Sequence, residues 1–296
     1  MKQVFPALAL LMVIGLGACA SFRPPPVMEP GAGGPEERVG ILPPESTLFA
    51  SFNVDSFYNL LAPLFPNERS RKLLDHTDRV YGGITLTGGG DAAFSLVGVG
   101  DYSSVRLRIP LCLSREWRRV EKSYWVQKEK SLQIALPEKK LFLAANGSMR
   151  ELLARYDQRF VYPLPAGVGG RMAAAELLLF FPALPAAAQG LEVLPVEAAW
   201  LEAARDGEDL QVTIVMALQD PGALAEDADR RRVEALFRLA LAIWLRRENR
   251  ADLAGRLGDL EVRAADGLLR LEGIRLSRQE IEGLLGRFLQ LEEGGR

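Results

Sequence analysis

The sequence predicts an α+β fold of two tandem modules, each an antiparallel sheet with helices on one face. Three observations carry that expectation. Short runs alternate apolar and polar residues and flank turn signals such as Asp206-Gly207 and Asp266-Gly267, which mark hairpins. Segments with apolar residues at helical spacing open on Asp or Ser, residues that cap helix N-termini. The same order of elements then runs twice along the chain, as an internal duplication would produce.

In the first module, Thr47–Val54 places Leu48, Ala50, Phe52 and Val54 on one side of a half-buried strand. Asp55 is expected to cap a helix with Phe57, Leu60, Leu61 and Leu64 inward. Pro66-Asn67 ends it and opens a short helix through Leu73 and Leu74. Arg79–Thr87 and Ala92–Gly100 read as strands around Gly88-Gly89-Gly90-Asp91. Asp101–Ser114 fits two periods. Val105, Leu107, Ile109, Leu111 and Leu113 alternate, whereas Val105, Ile109 and Cys112 share a helical face. The Asp101-Tyr102-Ser103-Ser104 opening tilts the reading to a helix. Val120–Ala145 reads as a meander closed by Asn146-Gly147, and Ser148-Met149-Arg150-Glu151 as a capping box opening a helix.

The second module repeats the order. Ala173–Phe181 is an apolar strand, followed by an Ala-rich helix to Gly190. Val196–Arg205 and Asp209–Leu218 form a hairpin. Asp220-Pro221 caps a helix to about Arg247, with Val233, Leu236, Phe237, Ala240, Ile243 and Trp244 on one face. Leu260–Ala264 and Leu268–Ile274 form the last hairpin, and Ser277–Glu280 is a second capping box before a helix with Ile281, Leu284, Leu285 and Phe288 inward. The modules are expected at 46–157 and 171–291, joined through Gln158–Gly170.

The N-terminus carries an address. Met1-Lys2-Gln3 precedes an uncharged apolar run, Val4–Leu16, shorter than the ~20 residues a membrane-spanning helix needs and of signal-peptide length. It closes on Leu16-Gly17-Ala18-Cys19, which resembles the lipobox of bacterial lipoproteins. The resemblance implies that residues 1–18 are a signal peptide and that Cys19 is the lipidated first residue of the mature chain. Ala20 follows, with no Asp to suggest inner-membrane retention, so the family pattern favours the outer membrane. Residues 19–45 are then expected to be the lipid anchor and a Pro/Gly-rich tether. Phe22–Pro44 contains Pro24-Pro25-Pro26 and Gly33-Gly34-Pro35. It is expected to form no packed element and to reach ~80 Å as polyproline or ~28 Å as coil. Pro43-Pro44-Glu45-Ser46-Thr47, ahead of a strand and a capped helix, weakly resembles bacterial envelope proteins from which no activity carries over.

Composition bounds the chemistry. The formal charge is −2, and losing Lys2 with the leader makes it −3. A nucleic-acid partner is therefore not expected, because neutralising phosphates needs a basic face. Acylation of Cys19 leaves Cys112 as the remaining cysteine; between Leu111 and Leu113 it is expected to be a buried inert thiol. His76 is the single histidine, so no His-rich metal site exists, and no Gly-x-Ser-x-Gly elbow accompanies it. Asp75, His76 and Asp78 are expected at a solvated helix end. Gly98-Val99-Gly100-Asp101 lacks the third glycine of a dinucleotide loop and follows an antiparallel strand, the wrong context. Gly88-Gly89-Gly90 lacks the Lys-Ser or Lys-Thr of a P-loop. Arg230-Arg231-Arg232 and Arg246-Arg247 are interleaved with acids and read as a solvated helix face. Trp117, Tyr124 and Trp125 fit core and cross-strand packing before a sugar or peptide groove.

The functional expectation is a membrane-anchored envelope lipoprotein with a non-enzymatic binding or assembly role. Its partners would be the membrane, through Cys19, and an envelope protein or glycan. No cofactor, metal or catalytic residue is assigned. The alternative is a carboxylate-based hydrolase of envelope glycans, which needs two acids ~5–10 Å apart in a cleft.

Overall fold

The computed structural model describes residues 29–30, 34–62, 68–86, 92–102, 111–112, 114–120, 124–128, 131–183, 196–207, 209–220, 226–247, 260–277 and 279–280. The chain is α+β, as expected. Its contacts divide it into two units, Pro24–Leu178 and Leu179–Leu291.

In the first unit seven antiparallel strands stand in the order β2-β3-β4-β8-β7-β6-β5. These are β2 (Leu48–Asn53), β3 (Thr77–Leu86), β4 (Ala92–Gly100), β5 (Trp117–Val120), β6 (Tyr124–Gln127), β7 (Gln133–Glu138) and β8 (Leu141–Ala145). A two-residue strand β1 (Glu29–Pro30) pairs separately with β9 (Phe160–Val161).

The sheet is buried on both faces, where one was expected. Paired residues share a face. Ala50, Val80, Leu96, Ala144, Phe142, Ile134 and Trp125 lie on one side. They pack with Val54 and Leu61 of helix α2 (Val54–Leu61), Leu73 and Leu74 of α3 (Glu68–Leu74), and Leu111. Phe49, Tyr81, Val97, Leu143 and Ala135 lie on the other, against α1 (Pro35–Ile41), α4 (Met149–Gln158) and α5 (Val168–Ala174). The Phe49 ring stands 4.6 Å from that of Tyr162, and Ser51 donates to the Met172 carbonyl at 2.6 Å. β2 serves both cores because its odd positions also carry groups that pack or pair inward.

Residues 34–44, expected as tether, fold instead. Pro35 opens α1 with its missing N–H and preset φ, and Glu36 and Glu37 complement the helix dipole in the first turn. Val39, Gly40, Ile41 and Leu42 are buried. Two further local expectations shift. Asn53, not Asp55, caps α2: its side-chain Oδ1 accepts from the Ser56 N–H at 3.4 Å, because the strand runs straight into the helix. The apolar stretch from Ala173 begins as the end of α5, and the strand β10 covers only Leu177–Phe181. Since Ser51 and Arg79 hold α5, the division falls after Leu178, later than the expected join.

The second unit follows the expected hairpins. β11 (Val196–Asp206) and β12 (Asp209–Leu218) turn at Gly207, which has φ +66°. β13 (Glu261–Ala265) and β14 (Leu268–Ser277) turn at Asp266 and Gly267, both with positive φ as a type I′ turn requires. Helix α6 (Asp227–Arg247) buries Phe237, and Glu234 accepts from the Ala264 N–H of β13 at 2.9 Å. The Ser277–Glu280 capping box is complete: Glu280 accepts from the Ser277 N–H at 2.8 Å, and the Glu280 N–H donates to Ser277 Oγ at 3.2 Å. Asp220 is described, but Pro221 lies outside the described residues, as does the expected Ala-rich helix to Gly190; α6 begins at Asp227.

The strand orders match. β2-β3-β4-β8-β7 in the first unit and β10-β11-β12-β14-β13 in the second are the same arrangement: three strands in sequence, then a hairpin whose second strand joins the third. A helix stands between the third and fourth strands of the second unit. The first unit has the additional ribbon β5–β6 there, added beyond β7.

Candidate functional site

The ribbon β5–β6 is the part of the first sheet that the shared arrangement does not account for, and it carries the aromatic residues singled out above. Trp117 pairs with Gln127, and Arg119 with Trp125. All four therefore lie on one face of the ribbon; Trp117 and Trp125 join the core that contains Tyr102, Leu111 and Leu132, and Arg119 lies exposed at its edge. Trp117, Trp125 and Gln127 are buried. The Arg119 guanidinium stands 5.6 Å from the Trp125 ring centroid, within cation–π range. Tyr124 pairs with Ala135 and points to the opposite face. The three aromatics thus form no common groove, and packing is their use.

Polar demand is concentrated here. The indole Nε1–H groups of Trp117 and Trp125 and the Gln127 side-chain oxygen are buried without a hydrogen-bond partner among the described residues. A buried polar group left unpaired costs about 1–3 kcal/mol. The backbone of the ribbon is paired: Gln127 N–H donates to Leu132 O and Lys128 N–H to Glu116 O, each at 2.9 Å. Beside it, the Tyr102 hydroxyl donates to Thr77 Oγ1 at 2.9 Å, and burial holds its phenol well above the ordinary value. What the described residues supply chemically is two N–H donors, one amide acceptor and a cation on aromatic walls.

The remaining candidates fall elsewhere. Cys19 lies outside the described residues. Cys112 is exposed, not buried as expected, because Leu111 takes the inward position of its turn. His76 and Asp78 are exposed beyond the end of α3, and Asp75 accepts from the Tyr58 hydroxyl at 2.9 Å. Gly98 and Gly100 serve packing: a β-carbon on Gly98 would stand 1.9 Å from the Phe142 ring, and one on Gly100 2.0 Å from the His76 carbonyl oxygen. Gly88-Gly89-Gly90 lies outside the described residues. Arg230 pairs with Asp227 at 3.3 Å, and Arg231 and Arg232 are exposed; the side chains of Arg246 and Arg247 lie outside the described set. No group of three or more His, Cys, Asp or Glu side chains is placed to hold a metal among the described residues.

Sequence reasoning missed Arg79. Half-buried near the start of β3, it donates to Ser51 Oγ at 3.0 Å and to the Met172 and Ala175 carbonyls at 2.9 and 2.8 Å. It closes the C-terminal end of α5, and desolvation lowers its pKa. The available signal was an arginine at the head of an apolar run, Arg79-Val80-Tyr81.

No protein-family profile and no curated protein matches the chain. Among solved structures, crystal form I of TP0453 matches 85% of this chain and 97% of its own, with 14% identity and a TM-score of 0.59. Crystal form III matches 86% and 98%, with 16% identity and a TM-score of 0.58. Crystal form IV matches 88% and 97%, with 14% identity and a TM-score of 0.55. At such identity the likeness is one of fold.

Proposed function

We propose that this chain is a bacterial envelope lipoprotein, anchored to a membrane through Cys19, with a non-enzymatic binding or assembly role. The observation that carries the proposal is Leu16-Gly17-Ala18-Cys19 at the close of an uncharged apolar run. The binding part rests on the same address: an anchored envelope chain to which no catalytic residue is assigned. The outer membrane is the proposed destination, and an envelope protein or glycan the proposed partner.

In-cell crosslinking, with partners identified by mass spectrometry, tests the role. One protein enriched with the anchored chain and lost in Cys19→Ala, at equal abundance, is the expected result. Two indistinguishable crosslinking profiles would contradict an anchored assembly role.

A further inference from the structure

We infer that the first unit is held against the bilayer on one chosen side, with the face that carries α1, α5 and the β1–β9 ribbon turned toward the lipid headgroups. The inference rests on the reading of Cys19 as the lipidated residue. It follows from where the folded chain begins. Glu29 and Pro30 pair with Val161 and Phe160, and α1 starts at Pro35. Glu29 stands ten positions after Cys19, and ten residues at full extension reach at most ~35 Å. A tether running to residue 45 would let the unit turn freely at up to ~80 Å. Ten residues reach less than half that, and the described segment that follows them, Glu29–Pro30, joins one face.

The attachment is firm. Gly40 of α1 packs so closely on β9 that a β-carbon there would stand 2.0 Å from the Phe160 carbonyl oxygen. The Tyr162 N–H donates to the Glu36 carbonyl at 3.0 Å. Detaching α1 from β9 would break these contacts and expose Val39, Ile41 and Leu42. On this side α5 and the turn before it present small, uncharged exposed positions, Pro163, Ala166, Gly167, Gly170, Ala173 and Ala174, and the exposed Asp157, Gln158 and Arg159 flank them at the end of α4. The α5 stretch can approach headgroups without stripping water from a charge of its own, and the charges beside it can stay hydrated at its rim. Across the sheet lie α2, α3 and the exposed Cys112, separated from this side by two helix layers of ~10 Å each.

Energy transfer to a headgroup-labelled lipid tests the orientation. The full-length lipidated protein is reconstituted in vesicles of phosphatidylethanolamine and phosphatidylglycerol. The donor is placed either on the native Cys112 or, in a Cys112→Ser background, on Gly170→Cys. A β-carbon at Gly170 meets nothing within 4 Å, so that position tolerates the label. Transfer from position 170 should exceed that from 112 several-fold. A Gly/Ser spacer of about 20 residues inserted between Arg23 and Pro24 should bring the two together. Equal transfer from both positions without the spacer, on a chain whose N-terminal mass shows acylated Cys19, overturns the orientation and leaves the anchor standing. An unmodified Cys19 in that preparation overturns both.

Discussion

Tyr102 and Thr77 show how much one buried hydroxyl pair can decide. Thr77 donates to the Leu73 carbonyl and accepts from Tyr102, so the pair ties the end of α3 to the segment after β4. Burial favours the neutral phenol of Tyr102, and Tyr81 is raised for the same reason. In the unfolded chain both titrate near pH ~10. The folded values are higher, so their contribution to stability is complete below pH ~10 and is lost as pH climbs toward the folded values. Tyr102→Phe should cost about 1 kcal/mol at neutral pH, by orphaning one Thr77 lone pair, and should flatten the alkaline decline. Urea unfolding at neutral and alkaline pH measures both. An unchanged alkaline slope would mean that Tyr102 does not titrate in this way. Arg79 teaches the same lesson for charge: its guanidinium is desolvated, yet three oxygens receive its hydrogen atoms.

Among the elements, α1 carries the sharpest contrast between sequence and structure. Its start was legible: Pro35 followed by two glutamates is a helix N-terminus in composition. The prolines and glycines on either side masked it, because linker composition is read over a window while a cap is read at a point. The burial of α1 depends on a partner more than a hundred residues away, β9, which no local pattern shows. The same limit applies to β2, whose second buried face became visible only with Tyr162 and Met172 in place. Hairpins and capping boxes fared better, since Asp266-Gly267 and Ser277–Glu280 are decided by neighbours in sequence. Of the candidate site, the burial of Trp117 and Trp125 was legible from residue type, whereas the unpaired indole nitrogens and the role of Arg79 were not. Two glycine substitutions test the packing of α1. Gly40→Ala should destabilise by about 1–3 kcal/mol or more, since the obstacle is backbone. Gly170→Ala, with open space and a helical backbone, should stabilise by roughly 0.5–1 kcal/mol. Denaturation midpoints that move together, or in the opposite sense, would contradict the seating of Gly40 on β9.

At the scale of the molecule, one strand order occurs twice and one ribbon occurs once. Two stretches of low mutual identity can follow one strand order because each needs only its period-two runs, its turns and its caps. What the plan does not require is the ribbon β5–β6, where three buried polar atoms find no partner among the described residues. Likeness in fold to TP0453 extends over most of the chain, but fold alone assigns no role. The role proposed here stands on the N-terminal motif, which makes the mature N-terminus the quantity to measure. Mass spectrometry of the membrane-extracted protein should find a first peptide beginning at Cys19 and carrying the mass of its acyl chains. A mature chain that begins elsewhere, or begins at Cys19 with the mass of the bare peptide, would contradict the account.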